Sequence, residues 1–126
     1  LGRKVTEAEE AAAKYFGSKY ACFLTNWTAG MEIGYKLAGL KAGDEVIMPA
    51  VTFIATLAYP LSIGAKFVFG DFDPETINLD PADVARNITP KTKMIVPVHL
   101  GGFPVARGKT RALCNGRCRA RHGRRL

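Results

Sequence analysis

The chain has 126 residues, of which 48% are hydrophobic and 23% charged, the size and mix of one globular domain or part of a larger one. No run of about 18 apolar residues is present, which excludes a membrane-spanning helix, and the opening "LGRKVTEAEE" is unlike a secretory signal. The net charge of +7 is local, because residues 1–106 hold ten Lys/Arg against eleven Asp/Glu, whereas residues 107–126 hold seven Arg, one Lys and no acid.

In chain order, Thr6 and Glu9 fit a capping box, and "EAEEAAAKYF" follows as a helix closed by Gly17. "YACFL" reads as a short buried strand, which would enclose Cys22. From Thr28 the pattern turns helical, with Ile33, Leu37 and Leu40 as an apolar stripe and Gly30, Gly34 and Ala38 as a small-residue stripe beside it. "EVIMP" is the second strand. "TFIATLAYPLSIGA" is a helix that Pro60 should kink or shorten, since proline removes a backbone donor.

"KFVFGD" is the third strand. "NLDPADVARNI" is a short helix with Asp80 at its N-cap, Pro81 at the first helical position and Asp83 two residues further. "TKMIVPVHL" is the fourth strand, apolar without alternation, as a strand covered on both faces should be. Helices and strands alternating with short loops imply an α/β fold, a parallel-type sheet flanked by helices with right-handed crossovers.

Three cysteines, Cys22, Cys114 and Cys118, are too few and too scattered for a disulfide framework, and a reducing cytoplasm is the expected location. Cys114, Cys118 and His122 give C-x3-C-x3-H, one ligand short of a structural zinc site, with His99 far off at a strand end; no metal is expected. "GGFPVARGKT" resembles a phosphate-cradling P-loop but carries five residues between its glycines, one too many, so a nucleotide binder remains an alternative reading on Lys109 and Thr110. The Arg-rich tail offers another, non-specific attraction to nucleic acid, although it has no aromatic residue to stack on bases.

From about Val5 to Ala106 the chain resembles the N-terminal half of the large domain of the DegT/DnrJ/StrS-type sugar aminotransferases, pyridoxal-phosphate enzymes of fold type I. The segments that carry the resemblance are "YFGSKYA", "AGDEVIMPAVTFIAT", "GAKFVFGDFDPETINLDP" and "ITPKTKMIVPVHLGG". It implies that pyridoxal 5′-phosphate is the cofactor, with its phosphate at Thr28 and Ala29 and its ring covered by Phe53. Read without the resemblance, Thr28 is a plain helix cap and Phe53 a core residue. Where the family has Gly in the turn before Thr28, this chain has Trp27. That indole would either crowd the anion, since Gly lets backbone approach closely and adopts conformations closed to other residues, or point away and leave the amides usable.

The resemblance also implies an amino-acid donor, a nucleotide-linked keto-sugar acceptor and a homodimer in intact relatives, and a minority of relatives that dehydrate the sugar instead. It places the attachment lysine and the acid for the pyridinium nitrogen in segments of the form S-x-x-x-x-K and E-D-x-A-Q, neither of which occurs in these 126 residues. No catalytic residue is therefore assigned. The expectation is a fragment, 1–106 from the cofactor domain and 107–126 a basic tail, frameshifted or disordered, inactive by itself. A helix N-terminus contributes about 0.3–2 kcal/mol to an anion and an aromatic stack about 0.5–1.5, against the ~4 kcal/mol of millimolar affinity. Weak or absent cofactor binding follows.

Overall fold

A computed structural model of the chain describes residues 2–105. The elements run α1 (Arg3–Phe16), α2 (Trp27–Leu37), β1 (Glu45–Pro49), α3 (Ala55–Ser62), β2 (Lys66–Gly70), α4 (Pro81–Asn87) and β3 (Thr92–Ile95), followed by a 3-10 turn at Leu100–Gly102.

β1 is the centre of a three-stranded sheet of order β2-β1-β3, parallel to both neighbours. Glu45 lies opposite Lys66 on one side and Thr92 on the other, and the ladder to β2 runs without a break to Pro49–Gly70. Val46, Ile47 and Met48 are fully buried, because a central parallel strand is covered on both faces. Val46 and Met48 pack with Tyr35, Leu40 and Ala65 under α2 and α3. Ile47 turns the other way, onto Leu79, Val84 and Ile95 beneath α4. Helices on the two faces thus divide the core into two layers.

The local chemistry of α4 is as the sequence predicts: Asp80 caps it, accepting from the amides of Ala82 at 2.9 Å and Asp83 at 3.3 Å. α1 ends at Gly17, whose φ of 60° lets Gly17 N–H reach Lys14 O and Ser18 N–H reach Ala13 O. Pro60 shortens α3 to eight residues.

Four expectations are corrected. The Thr6–Glu9 capping box does not form: α1 starts four residues earlier, after Gly2, where Arg3 and Lys4 both pair with Glu7 at 2.8 Å. Glu9 is then free to accept from Phe23 N–H at 2.8 Å, across to the segment that leads into α2.

"YACFL" is not a strand, and Cys22 is exposed. An apolar run becomes a strand only when a ladder takes up its backbone groups, and the described sheet presents no such partner to residues 20–24. The α2 stripe of Ile33 and Leu37 faces outward, with Leu37 80% exposed, while Tyr35 is the buried anchor. Finally, β3 stops at Ile95 instead of running to Leu100, because Pro97 has no amide to continue the ladder.

Candidate cofactor site at the carboxyl edge of the sheet

All three strands point the same way, so their carboxyl ends, Pro49, Gly70 and Ile95, lie on one edge. α2 leads into the amino end of β1, and its first turn therefore returns to the carboxyl edge. The order β2-β1-β3 sends the chain from β1 outward to one side and brings it back to the other. In open α/β sheets of this order the ligand crevice lies between the carboxyl ends of β1 and β3. The loop after β1 carries Phe53, the loop after β3 carries His99, and α2 brings Trp27, Thr28 and Ala29.

At the start of α2 the Asn26 side chain accepts from Ala29 N–H at 2.9 Å, an ordinary N-cap. The Ala29 amide is thus engaged within the protein. The amides of Trp27 and Thr28 precede any intrahelical acceptor, and among the described residues neither has a partner; the same is true of the Thr28 hydroxyl. Two N–H donors and one O–H on the positive end of an eleven-residue helix suit an anion.

Trp27 is helical, and Ile77 is the one non-glycine residue of positive φ among the described residues. The turn therefore makes no demand that only glycine could meet. The indole is 54% exposed and belongs to neither buried cluster. Phe53 is 66% exposed and is not a core residue. The unpaired donors of Trp27 and Thr28 and the exposed ring of Phe53 are the groups on these elements whose chemistry suits a phosphate and an aromatic ring. Thr28 is not the N-cap, a role that Asn26 fills.

A groove of about 250 Å³ runs between α2 and α3, lined by Thr28, Glu32, Ala55, Ala58, Tyr59 and Ser62. Glu32 holds Lys36 at 2.6 Å, and the Lys36 ammonium lies 5.4 Å from the centre of the Tyr59 ring. The bond to Glu32 raises the Lys36 pKa. The groove thus shares Thr28 with the start of α2, and the one carboxylate in its wall is paired with Lys36.

Residues 1–117 match the model of the DegT/DnrJ/EryC1/StrS aminotransferase family. The chain belongs to this family. The match continues past the change of composition at residue 107. Over 102 residues the chain is 44% identical to the UDP-2-acetamido-2-deoxy-3-oxo-D-glucuronate aminotransferase of Pseudomonas aeruginosa, covering 81% of this chain and 28% of that protein.

Among solved structures of the same fold, NtdA from Bacillus subtilis with bound cofactor PMP is 35% identical with a TM-score of 0.85, over 91% of this chain and 26% of its own. A GDP-4-keto-6-deoxymannose-3-dehydratase with a trapped PLP-glutamate geminal diamine is 31% identical with a TM-score of 0.85, over 93% of this chain and 32% of its own. The chain thus spans about 28% of the length of the curated relative. Among the described residues no helix is long and apolar enough to cross a membrane. Lys109 and Thr110 of the P-loop-like stretch, the Cys114, Cys118 and His122 triplet and the whole basic tail lie outside the described residues.

Proposed function

We propose that this chain forms the phosphate-side wall of the cofactor pocket of an aminotransferase that moves an amino group from an amino-acid donor to the keto group of a nucleotide-linked sugar. What supports the reading most is the pair of unpaired amides of Trp27 and Thr28 at the start of α2, with the exposed Phe53 ring carried by the loop after β1. Trp27 N–H, Thr28 N–H and the Thr28 hydroxyl bind the phosphate of pyridoxal phosphate. Ala29 joins them once Asn26 releases its amide. The Phe53 face covers the ring and excludes water from it. When bound, the cofactor supplies the electron sink for the amino-group chemistry.

In this reading the enzyme is a cytoplasmic homodimer. The donor is an amino acid such as the glutamate in the dehydratase structure. The likeness to that dehydratase, whose TM-score of 0.85 equals that of NtdA, supports a second reading, loss of water from the sugar on the same cofactor. The attachment lysine falls outside these 126 residues, so the chain holds the cofactor weakly and turns nothing over unaided. Against an altered frame in the basic tail 107–126 stands the family match through residue 117, and sequencing the gene across codon 107 decides between them.

Titration of the 126-residue chain with pyridoxal 5′-phosphate, followed through the fluorescence of Trp27, its single tryptophan, tests the site. The expected result is saturable quenching in the millimolar range, weakened by Thr28→Val and by Phe53→Ala. Binding indifferent to both substitutions overturns the assignment.

A further inference from the structure

His99 lies four residues past the carboxyl end of β3, as Phe53 lies four past that of β1, and its ring is held in one tautomer. Nδ1 accepts from Val105 N–H at 3.2 Å. A backbone amide can only donate, so Nδ1 carries the lone pair and the ring hydrogen sits on Nε2. Among the described residues nothing accepts from Nε2, and the side chain is exposed.

The loop that carries it is clamped. Asn78, on the connection after β2 and 3% exposed, donates from Nδ2 to Phe103 O at 3.0 Å and accepts at Oδ1 from Leu100 N–H at 3.0 Å. Its own carbonyl accepts from Asp73 N–H at 2.9 Å. The preceding Ile77 is held at a φ of 56°, a conformation that a β-branched residue adopts only when its surroundings impose it. A buried carboxamide satisfied at both ends fixes residues 100 and 103, and Val105 fixes the ring from the other side.

The geometry points to His99 as a further binding residue of the crevice: Nε2–H donates to an oxygen of the phosphorylated aromatic ligand seated between the ends of β1 and β3, and Asn78 is the residue that positions its loop. This rests on the proposed cofactor seat, in which Thr28 and Trp27 take the phosphate.

The test uses the full chain carrying His122→Asn, so that one imidazole remains, labelled with ¹⁵N. Long-range ¹H–¹⁵N spectra of the free chain are expected to show hydrogen on Nε2. Added pyridoxal 5′-phosphate should shift that resonance together with the amides of Trp27 and Thr28. His99→Gln, which keeps a donor, should bind the cofactor as the parent does, while His99→Leu should weaken binding by about five- to tenfold, the scale of one hydrogen bond. Asn78→Asp keeps the acceptor for Leu100 but loses the donor to Phe103. It should speed hydrogen exchange at Val105 and mix the His99 tautomers while leaving the Trp27 and Thr28 response to inorganic phosphate intact.

A shift at Thr28 and Trp27 without one at His99, hydrogen on Nδ1 in the free chain, or parental affinity in His99→Leu each overturns the role of His99 and leaves the phosphate seat standing. No response at Thr28 and Trp27 sinks the seat, and His99 with it.

Discussion

The Tyr35 hydroxyl donates to the backbone carbonyl of Thr56 at 2.8 Å, inside the contact between α2 and α3. That carbonyl is available because the residue four positions on is Pro60, which has no N–H to close the helical bond. Tyr35 and Pro60 are both fully buried, so water cannot serve instead. Tyr35→Phe should cost about 1–3 kcal/mol, the penalty of an orphaned buried acceptor. In a Pro60→Ala background the new amide can take the carbonyl, and the same substitution should cost distinctly less. A double-mutant cycle in urea reads the difference, and strictly additive effects would show that the two residues do not share that acceptor.

Burial of the same phenol pushes its pKa up to about 12 from 10.0. The unfolded chain loses this proton near pH 10 while the native state keeps it, so the stabilising difference is intact below pH 10 and is lost as pH rises toward 12. Stability should fall through that window with a slope of up to about 1.4 kcal/mol per pH unit from this group. The Tyr35→Phe variant should show a shallower fall. Denaturation midpoints at pH 9 to 12 decide it.

At the end of β2, a methyl group on Gly70 would sit 2.5 Å from Leu79 Cδ1, and Leu79 is only 2% exposed. Gly70→Ala should therefore destabilise by about 1–3 kcal/mol, as overpacking does. Adding Leu79→Ala, itself a loss of about 2–5 kcal/mol, should remove the clash, so the double variant should be more stable than the sum of the two losses implies. Equal sums would mean that the backbone moves aside.

Asp83 is held below its ordinary value of 3.8, first by the Asp71 amide at 2.7 Å and then by Arg86 and Asn87, each at 2.9 Å. Its folded pKa lies below the unfolded one, so its contribution is present above the ordinary carboxylate range and lost as pH falls through the depressed value. Asp83→Asn should lower stability at pH 7 and flatten the acid limb of the stability curve. An unchanged acid limb would assign the acid sensitivity to other carboxylates.

What could be read in the sequence was whatever local chemistry decides. "EVIMP" is β1 residue for residue, because an apolar run between Asp44 and Pro49 has no competing pattern. Asp80-Pro81 starts α4 as caps predict. Where distant partners decide, the sequence was silent or misleading: "YACFL" has strand composition but no ladder, and Ile33 and Leu37 have helical spacing yet face away from the sheet.

The site divides in the same way. The family resemblance proposes Thr28 and Phe53, and the structure adds that the Thr28 hydroxyl is unpaired and the Phe53 ring exposed. That Asn26 would engage Ala29, and that His99 would be pinned by Val105, depends on side-chain placement that no spacing encodes. The one signal for His99 was its position directly after an apolar strand.

A sheet built entirely of parallel strands cannot nucleate from hairpins; each pairing waits for the intervening chain to close. Glu45 must find Lys66 across a segment less than half as long as the one separating it from Thr92. The β1–β2 pair is thus kinetically the nearer neighbour, and β3 docks late. The gap between β1 and β3 is then the last part of the molecule to take shape, which leaves a half-folded chain without a mouth for its ligand.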